Sequence, residues 1–378
     1  MASKDLSITE VAGRSDMTSF IRFPGELATG DPSWIEPLHF ERRRFLNPKT
    51  NPFFDHADVK LWLAKREGKT VGRVSAQIDH NMPLHEGEKV GMFGMLDGED
   101  SDVVSALLDA SEGWLRGQGA KWVRGPFSLS INHSCGVLID GFDTPPQVMM
   151  DHNGPQLGPA IEKNEYTKAR DLLAYRLDVS KGLNDKKRSL ATRQFKELNI
   201  RPLERKRFAE EIRTVMDIFN DAWGDNWGFV PLTEAETQAM AEELKPILPS
   251  DFVQIAEING EPIGFIVLLP NINEAMRGLD GKLFPFGWAR FLWRLKVKGV
   301  RSARVPLMGV RKSAANSMTG KLIPLQLIYA LHEPSMSRGV EELEMSWLLE
   351  ENTAVRRFVE SIGSNVYKTY RVYEKRLT

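Results

Sequence analysis

The 378-residue chain has one cysteine, Cys135, so no disulfide can form within it, and a reducing compartment suits it. No run of about 18 apolar residues is present, which argues against a membrane-spanning helix. The 50 Lys and Arg residues balance 51 Asp and Glu, and the net charge of −1 gives no reason to expect nucleic acid as a partner. The first residues do not follow the pattern of a secretory signal peptide. We therefore expect a cytoplasmic protein.

Several motifs of enzyme chemistry are also missing. The sequence has no Walker loop, no Rossmann glycine fingerprint and no Gly-x-Ser-x-Gly elbow. His80 and His85 lie near Asp79, but no further ligand at a matched spacing completes a metal site. The segment 132–135 holds a lone His and Cys, which is poor evidence for a cysteine nucleophile. We predict no metal and no tightly bound cofactor.

A repeated pattern divides the chain. The segments 64–72 and 256–264 both read as a hairpin turn between two strands, and each is followed by strand, helix, strand, helix and strand. An internal duplication explains this economically. We predict an α/β (α+β) protein of two tandem domains, 1–179 and 180–378, each with a mixed central sheet flanked by helices. A basic helical joint is expected at 180–198.

The end of the second half has the clearest order of elements. We predict a strand, a loop, a helix, a strand, a helix and a final strand at 304–310, 311–320, 321–338, 342–347, 352–363 and 365–374. A strand, loop and helix in this order direct free backbone N–H groups beyond the strand end, where a phosphate can bind.

This order resembles the GNAT acyltransferase superfamily. Asn352, followed by a short helix and Gly363, is similar to that family's Asn…Ala…Tyr-Glu-Lys-x-Gly segment. Gly320 stands at the last glycine of the pyrophosphate loop, Arg/Gln-x-x-Gly-x-Gly/Ala, although the loop is degenerate here. The resemblance implies acyl-CoA as co-substrate and direct attack of an amine on its thioester.

Charge favours the second domain as the acyl-CoA site. Its loop has Arg311, Lys312 and Lys321 and no acid, whereas the equivalent turn at 97–102 is acidic and would repel a pyrophosphate. The first domain is predicted to be a scaffold without cofactor. The resemblance implies that backbone around 308–310 holds the oxyanion. The candidate cofactor-binding residues are Met308, Gly309, Val310, Arg311, Asn316, Thr319, Gly320, Lys321 and Asn352.

The reaction needs a base, because a primary amine is mostly protonated at neutral pH. Glu344 is the first candidate, since it lies on the strand that faces the expected thioester; an outward-facing carboxylate is the alternative. The family often uses a tyrosine on the last helix as acid, but Val359 stands there. Tyr367 and Tyr370 on the final strand are therefore candidate proton donors, and packing is the alternative role for each.

Aromatic residues after a helix suggest an acceptor site. Trp223, Trp227 and Phe229, with Trp347, are predicted to line an apolar acceptor channel. The alternative is a loop that packs on the core through its own aromatic rings.

The segment 283–298 mixes tryptophan and phenylalanine with arginine and lysine. This mixture suits a bilayer interface and predicts peripheral contact with the inner membrane, although packing against the other domain is equally compatible.

Five further segments resemble the bacterial ceramide synthases, a GNAT-like family: 51–56, 141–146, 226–231, 344–347 and 367–371. This resemblance implies transfer of a long acyl group from CoA to a sphingoid base. Two alternatives stay open: a transferase that uses an aminoacyl or acyl carrier as donor, and a non-catalytic protein that binds acyl-CoA or lipid.

Overall fold

A computed structural model of the chain describes residues 6–377. These residues form two compact units. The first comprises residues 6–173, 276–287 and 368–377, and the second comprises 174–275 and 288–367. Residues 368–377 thus belong to the first unit, whereas the sequence analysis placed all residues after 179 in the second domain.

The elements up to residue 178 are β1 (Leu6–Glu10), α1 (Gly13–Leu27), α2 (His39–Phe45), β2 (Ala57–Arg66), β3 (Lys69–Asp79), β4 (Val90–Gly98), α3 (Ser101–Gly117), β5 (Trp122–Gly125), β6 (Val137–Asp140), α4 (Leu157–Glu162) and β7 (Thr167–Asp178). The later elements are α5 (Asp185–Ala191), β8 (Leu198–Pro202), α6 (Phe208–Trp223), α7 (Glu234–Leu244), β9 (Val253–Ile258), β10 (Glu261–Pro270), α8 (Ile272–Met276), α9 (Gly287–Trp293), β11 (Ser302–Val310), α10 (Lys312–Ala315), α11 (Ile323–Ala330), α12 (His332–Ser337), β12 (Glu342–Leu349), α13 (Thr353–Ser361) and β13 (Asn365–Arg376).

Each unit has a mixed sheet. In the first, β1 to β4 are antiparallel neighbours, β4 and β5 are parallel, and β13 pairs with both β5 and β6 from residue 369 onward. In the second, β8 to β11 are antiparallel neighbours, and β11 and β12 are parallel. The hairpins β2–β3 and β9–β10 are the two repeated hairpins of the sequence. The predicted α/β class with duplicated sheets is confirmed.

Helix α3 shows how the first unit buries its core. Val103 and Leu107 are fully buried one helical turn apart, because residues four apart share a helix face. Asp100 caps the helix, and its side chain accepts hydrogen bonds from the N–H groups of Asp102 and Val103. A Cβ on Gly72 would lie 2.5 Å from the Val103 side chain, so the absence of a side chain lets α3 pack against β3.

The N-terminal region departs from the sequence prediction. The alternation of Pro, Gly and aromatic residues in 20–37 predicts an irregular covering segment, but Phe20 to Leu27 belongs to the 15-residue helix α1. Pro24 lies inside this helix and has no N–H to bond the carbonyl of Phe20. The guanidinium of Arg73 donates to that carbonyl instead, at 2.9 Å. A side chain from β3 therefore supplies the hydrogen bond that Pro24 cannot make.

The predicted helix 321–338 is divided. A 3₁₀ turn at Gly320–Leu322 leads into α11, and α12 follows after Leu331. Pro334 in the first turn of α12 cannot donate to the carbonyl of Ala330, so a continuous helix would lose a hydrogen bond here. The other predicted strands and helices of this region are present, and the side chain of Asn352 caps α13 as expected.

Gly94 marks a close approach in the first unit. The chain that follows β5 crosses β4, and the N–H of Phe127 donates to the carbonyl of Phe93 at 2.8 Å. A Cβ on Gly94 would lie 1.7 Å from the carbonyl oxygen of Phe127. Only glycine therefore permits this crossing without a shift of the backbone.

We predict that Gly94→Ala destabilises the protein by about 1–3 kcal/mol or more, because the added methyl group would displace the backbone of Phe127. Chemical denaturation measures the change. Gly113→Ala is the matched control: it lies in α3 with no atom near the new Cβ, and we expect a gain of up to about 1 kcal/mol from helix propensity. Equal stability of the Gly94 variant and the wild type would contradict the prediction.

Candidate active site

β11 has a bulge at Pro306. Val267 of β10 pairs with Leu307 and Leu269 pairs with Arg304, so β11 has one residue more than β10 between these pairs. A proline has no N–H for the ladder and is found at such bulges. At the same place β11 stops pairing with β12, since the last partners are Val305 and Met345. The two parallel strands therefore diverge after the bulge and leave a cleft.

The walls of this cleft are apolar and partly accessible. The side chains on the diverging parts of β11 and β12 are neither fully buried nor fully exposed; they are Pro306, Leu307, Met308, Val310, Trp347, Leu348 and Leu349. Apolar groups at a partly open position suit an apolar ligand or the arms of a thioester. The fold thus keeps the predicted oxyanion segment, 308–310, at the edge of an open cleft.

A buried ion pair lies at the base of the cleft. Arg304 and Glu344 are direct partners across β11 and β12, and their side chains are 2% and 0% exposed. The Nε atom of Arg304 lies 3.3 Å from Oε2 of Glu344 and donates to Oγ of Ser346 at 3.0 Å. The guanidinium carbon lies 4.4 Å from the ring centroid of Trp347, in cation–π geometry. Glu344 thus faces inward, and the outward-facing alternative is wrong.

Tyr367 belongs to the same group of residues. Burial raises the pKa of its hydroxyl far above the usual range, and the carboxylate of Glu344 raises it further. The guanidinium of Arg176 lies over the ring, 4.3 Å from its centroid. A raised pKa makes the hydroxyl a weaker acid, so this shift does not itself favour proton donation. Its catalytic role stays a prediction.

Tyr370 has a different environment. Its side chain is fully buried in the first unit, and its hydroxyl donates to the backbone carbonyl of Asp151 at 3.0 Å. This contact gives Tyr370 a role in packing, which was the alternative reading of the sequence. A catalytic role for it stays a prediction.

The aromatic residues after α6 contact the diverging strand. Nε1 of Trp223 donates to the carbonyl of Met308 at 3.0 Å. The ring of Phe219 lies 5.2 Å from that of Trp223 and 5.4 Å from that of Phe229, and Trp227 is half-buried in the same loop. The end of α6 is therefore fixed beside the cleft, where the sequence predicted an acceptor channel. The contacts also serve packing, so the channel stays a prediction.

The predicted cofactor loop has no acidic residue of its own, but acidic residues from elsewhere in the chain contact it. Arg311 pairs with Asp217 at 2.5 Å, and the ammonium of Lys312 lies 2.6 Å from Asp225. The N–H of Lys312 donates to Asp221 at 2.8 Å. These three acids come from α6 and the turn after it. The free positive charge expected from the loop is thus largely neutralised, because a distant segment supplies the partners.

The remaining loop is compact. A Cβ on Gly320 would lie 1.9 Å from the carbonyl oxygen of Ala314, and the Gly320 N–H donates to Oγ of Ser317 at 2.8 Å. Thr319 donates to Glu197 at 3.2 Å. Asn316 ends α10, and the N–H of Lys321 bonds the carbonyl of Ser317. Gly320 is required for this tight fold, and phosphate binding by the loop stays a prediction.

In the first unit, the space beside the corresponding bulge is filled by the protein's own chain. Its β4 also has a bulge, at Met95, after the last parallel pair with β5. Here the chain after β5 returns to β4 through Phe127, whose carbonyl accepts a hydrogen bond from Nε2 of Gln77 at 2.9 Å. The first-turn N–H groups of α3 are bound by Asp100. The first unit therefore fills with its own chain the space that is open in the second.

Within 6–377 no three His, Cys, Asp or Glu side chains group as a metal ion would require. None of the helices in the same range has the length and apolar character needed to traverse a bilayer.

The fold is that of tandem GNAT proteins. A tandem GNAT protein of the clavulanic acid biosynthesis pathway superposes with a TM-score of 0.58 at 13% identity, and the match covers 99% of each chain. A GCN5-related N-acetyltransferase from Sphaerobacter thermophilus gives 0.53 at 12% identity over 98% of this chain and 96% of that one. The tandem GNAT fold predicted from the sequence is confirmed.

Sequence comparison gives the family. The chain is 47% identical to the bacterial ceramide synthase of Caulobacter vibrioides (strain NA1000 / CB15N), over 99% of this chain and 98% of that protein. It is 48% identical to protein YghO of Escherichia coli (strain K12), over 96% and 94%. No family model matches the chain. The chain belongs to the bacterial ceramide synthase family and is an acyltransferase, as the sequence predicted.

We predict that Arg304→Met costs about 3–5 kcal/mol of stability, because it leaves the carboxylate of Glu344 buried without its cation. The double variant Arg304→Met/Glu344→Leu should recover much of that loss, since it removes both charges. Urea denaturation measures both changes. Arg301→Met is the matched control, because its pair with Glu341 is exposed and should matter little. A loss no larger than that of the control would contradict the prediction.

Proposed function

We propose that the protein transfers a long-chain acyl group from a CoA thioester to the amine of a lipid-like acceptor such as a sphingoid base. The observation that carries the proposal is the apolar cleft that opens at the Pro306 bulge, with Glu344 at its base. The name of the Caulobacter relative, a ceramide synthase, supports an amide-forming reaction on a sphingoid acceptor.

The proposed reaction is a direct attack. The ammonium of the acceptor loses a proton to Glu344, directly or through water, and the neutral amine attacks the thioester carbon. Backbone N–H groups of 308–310 stabilise the oxyanion. The C–S bond then breaks, Tyr367 donates its proton to the departing thiolate, and the resulting tyrosinate takes the second proton of the attacking nitrogen, which leaves a neutral amide. Glu344 releases its proton to solvent. The ion pair with Arg304 stabilises the anionic form of Glu344 before the amine arrives.

The acyl-CoA is proposed to follow the cleft toward the loop 311–320. Asn316, Thr319, Gly320 and Lys321 would lie beside the pyrophosphate, next to the turns that lead into α11. Because the cations of Arg311 and Lys312 are already paired, we expect backbone N–H groups to contribute more than side-chain charge. Asn352 would act indirectly, through the cap that fixes the start of α13.

Mass spectrometry tests the reaction. We expect purified protein with palmitoyl-CoA and sphinganine to give the N-acyl product, and acetyl-CoA with a small amine to give little. Turnover of the acetyl pair alone would overturn the lipid acceptor. Product from palmitoyl-acyl carrier protein but not from palmitoyl-CoA would overturn the CoA donor.

Variants at the cleft belong to the same test. Glu344→Gln should lower kcat about 10²- to 10⁴-fold, the usual contribution of a general base, while palmitoyl-CoA binding is retained. Tyr367→Phe should also lower kcat, because it removes the hydroxyl that protonates the thiolate in this proposal. The change leaves the charge of the site unaltered. Glu351→Gln, at the exposed end of β12, is the control, and thermal unfolding checks that each variant is folded. Unchanged kcat in Glu344→Gln would remove Glu344 from the role of base.

We also propose peripheral contact with a lipid surface through 283–298. Phe284 is 82% exposed, Phe286 79% and Trp293 55%, and Trp288 is also exposed. The side chains of Arg290, Lys296 and Lys298 are exposed along the same segment. Large apolar groups mixed with cations suit an interface that contains anionic lipid.

We predict that the protein co-sediments with vesicles containing phosphatidylglycerol and that Trp288→Ala/Trp293→Ala weakens this binding at least about tenfold, because each ring loses about 1.5–3 kcal/mol of apolar burial. Leu84→Ala removes an exposed apolar side chain elsewhere and is the control. If the tryptophan variant and the control bind vesicles equally, this surface is not the contact.

A further inference from the structure

Helix α13 of the second unit has little apolar surface to hold it in place. It has nine residues, and the structure describes all of them. Among these nine, Val359 is the one buried side chain. A helix of this length is marginal on its own and usually depends on an apolar face for its position. Polar contacts must therefore contribute to fixing where α13 lies.

Tyr175 of β7 supplies such contacts. Its side chain is fully buried, and its hydroxyl donates a hydrogen bond to Oε1 of Glu360 at 2.8 Å. The same hydroxyl accepts a bond from Nε of Arg356 at 3.1 Å. Arg356 and Glu360 are four residues apart, so they lie on one face of α13. A single hydroxyl thus joins two oppositely charged side chains of the helix to β7.

Arg356 also reaches the end of β12. Its Nη1 atom donates to the backbone carbonyl of Glu350, the residue directly after β12, at 2.7 Å. In the same turn the N–H of Asn352 donates to the carbonyl of Leu349 at 3.0 Å. A continuous set of hydrogen bonds therefore connects β7, α13 and the end of β12.

The end of β12 is one wall of the cleft. β12 pairs with β11 as far as Met345, and Trp347, Leu348 and Leu349 lie beyond that last pair. On its other side β12 is the neighbour of β7, the strand that carries Tyr175. Because the ladder with β11 has ended here, the position of this wall depends on β7 and on the contacts at the end of β12.

Hydrogen bonds define a position more sharply than apolar packing does. A buried hydroxyl that both donates and accepts favours one arrangement of its partners, because a shift would leave a buried polar group unsatisfied. A phenylalanine at position 175 would fill the same volume without this constraint. The side chains of Tyr175, Arg356 and Glu360, which we call the Tyr175 network, therefore orient α13 and β12 as well as stabilise them.

We propose that the Tyr175 network positions the β12 wall of the cleft and thereby sets the affinity for the acyl chain of the donor. Tyr175, Arg356 and Glu360 are positioning residues in this proposal, because they act through β12 and not on the reacting atoms. The inference deepens the proposed function, on which it rests for the identity of the donor as an acyl-CoA. It assigns the preference for a long acyl group to contacts outside the cleft.

Calorimetric titration of the full chain with lauroyl-CoA and with CoA, without any acceptor, tests the proposal. Because the β12 wall is apolar, its displacement should weaken binding of the acyl chain more than binding of the CoA moiety. We expect Arg356→Gln to bind lauroyl-CoA about tenfold more weakly and CoA less than about twofold more weakly. Tyr175→Phe should change the two affinities in the same direction but by less, because Arg356 keeps its bond to Glu350.

Arg357→Gln is the matched control, because it removes the same charge from an exposed neighbouring position of α13. It should leave both affinities unchanged, and thermal unfolding checks that each variant is folded. Equal weakening of lauroyl-CoA and CoA binding in Arg356→Gln would overturn the proposal, since a lost phosphate contact acts on both ligands alike. Unchanged lauroyl-CoA affinity would also overturn it. If Arg356→Gln does not fold, the same comparison in Tyr175→Phe decides.

Kinetics separate this inference from the proposed function. A raised KM for palmitoyl-CoA with an unchanged KM for sphinganine in the folded variants supports both. Selective loss of lauroyl-CoA affinity in Arg356→Gln, with no acylation of any amine by the wild type, overturns the proposed function alone. Acyl transfer by the wild type, with equal affinities in wild type and variants, overturns this inference alone. Wild-type protein that binds neither lauroyl-CoA nor CoA overturns both.

Discussion

The candidate active site depends on the point at which the ladder between β11 and β12 ends. β11 has a bulge at Pro306, which has no N–H for the ladder, and its pairing with β12 ends at Val305. Every feature of the site is arranged about that separation. The buried pair of Arg304 and Glu344 lies just before it, and the carbonyl held by Trp223 lies just after it. A sheet that is otherwise continuous thereby gains an opening without losing its core.

The two halves of the chain show what duplication retains and what it changes. Both have an antiparallel hairpin, a bulge and a short parallel pair. In the first unit Gly94 lets Phe127 close over the bulge, whereas in the second the walls are partly exposed. Gly94 and the path of the segment after β5 thus account for the difference between the two sheets.

The sequence predicted most strands because alternating apolar residues and glycine turns are local signals. It also predicted the tandem GNAT fold, the family and an inward-facing Glu344. It missed α1, because the partner of the carbonyl opposite Pro24 is Arg73, far along the chain. It missed the acids around Arg311 for the same reason, since Asp217 lies about 90 residues earlier. Local sequence patterns predict individual strands and helices. The partners of a charged group and the exposure of a side chain depend on tertiary contacts, which local patterns do not reveal.

The last strand has a consequence for the order in which the protein is made. Residues 369–376 of β13 pair with β5 and β6, so the first unit lacks one strand of its sheet until these residues have been synthesised. Before that, the edges of β5 and β6 that face β13 have no partner strand. The contacts that complete the sheet join residues far apart in the sequence, such as Arg124 and Glu374, which are 250 positions apart. The N-terminal half is therefore not a module that completes itself first, and a premature stop near the C-terminus would damage the first unit as much as the second.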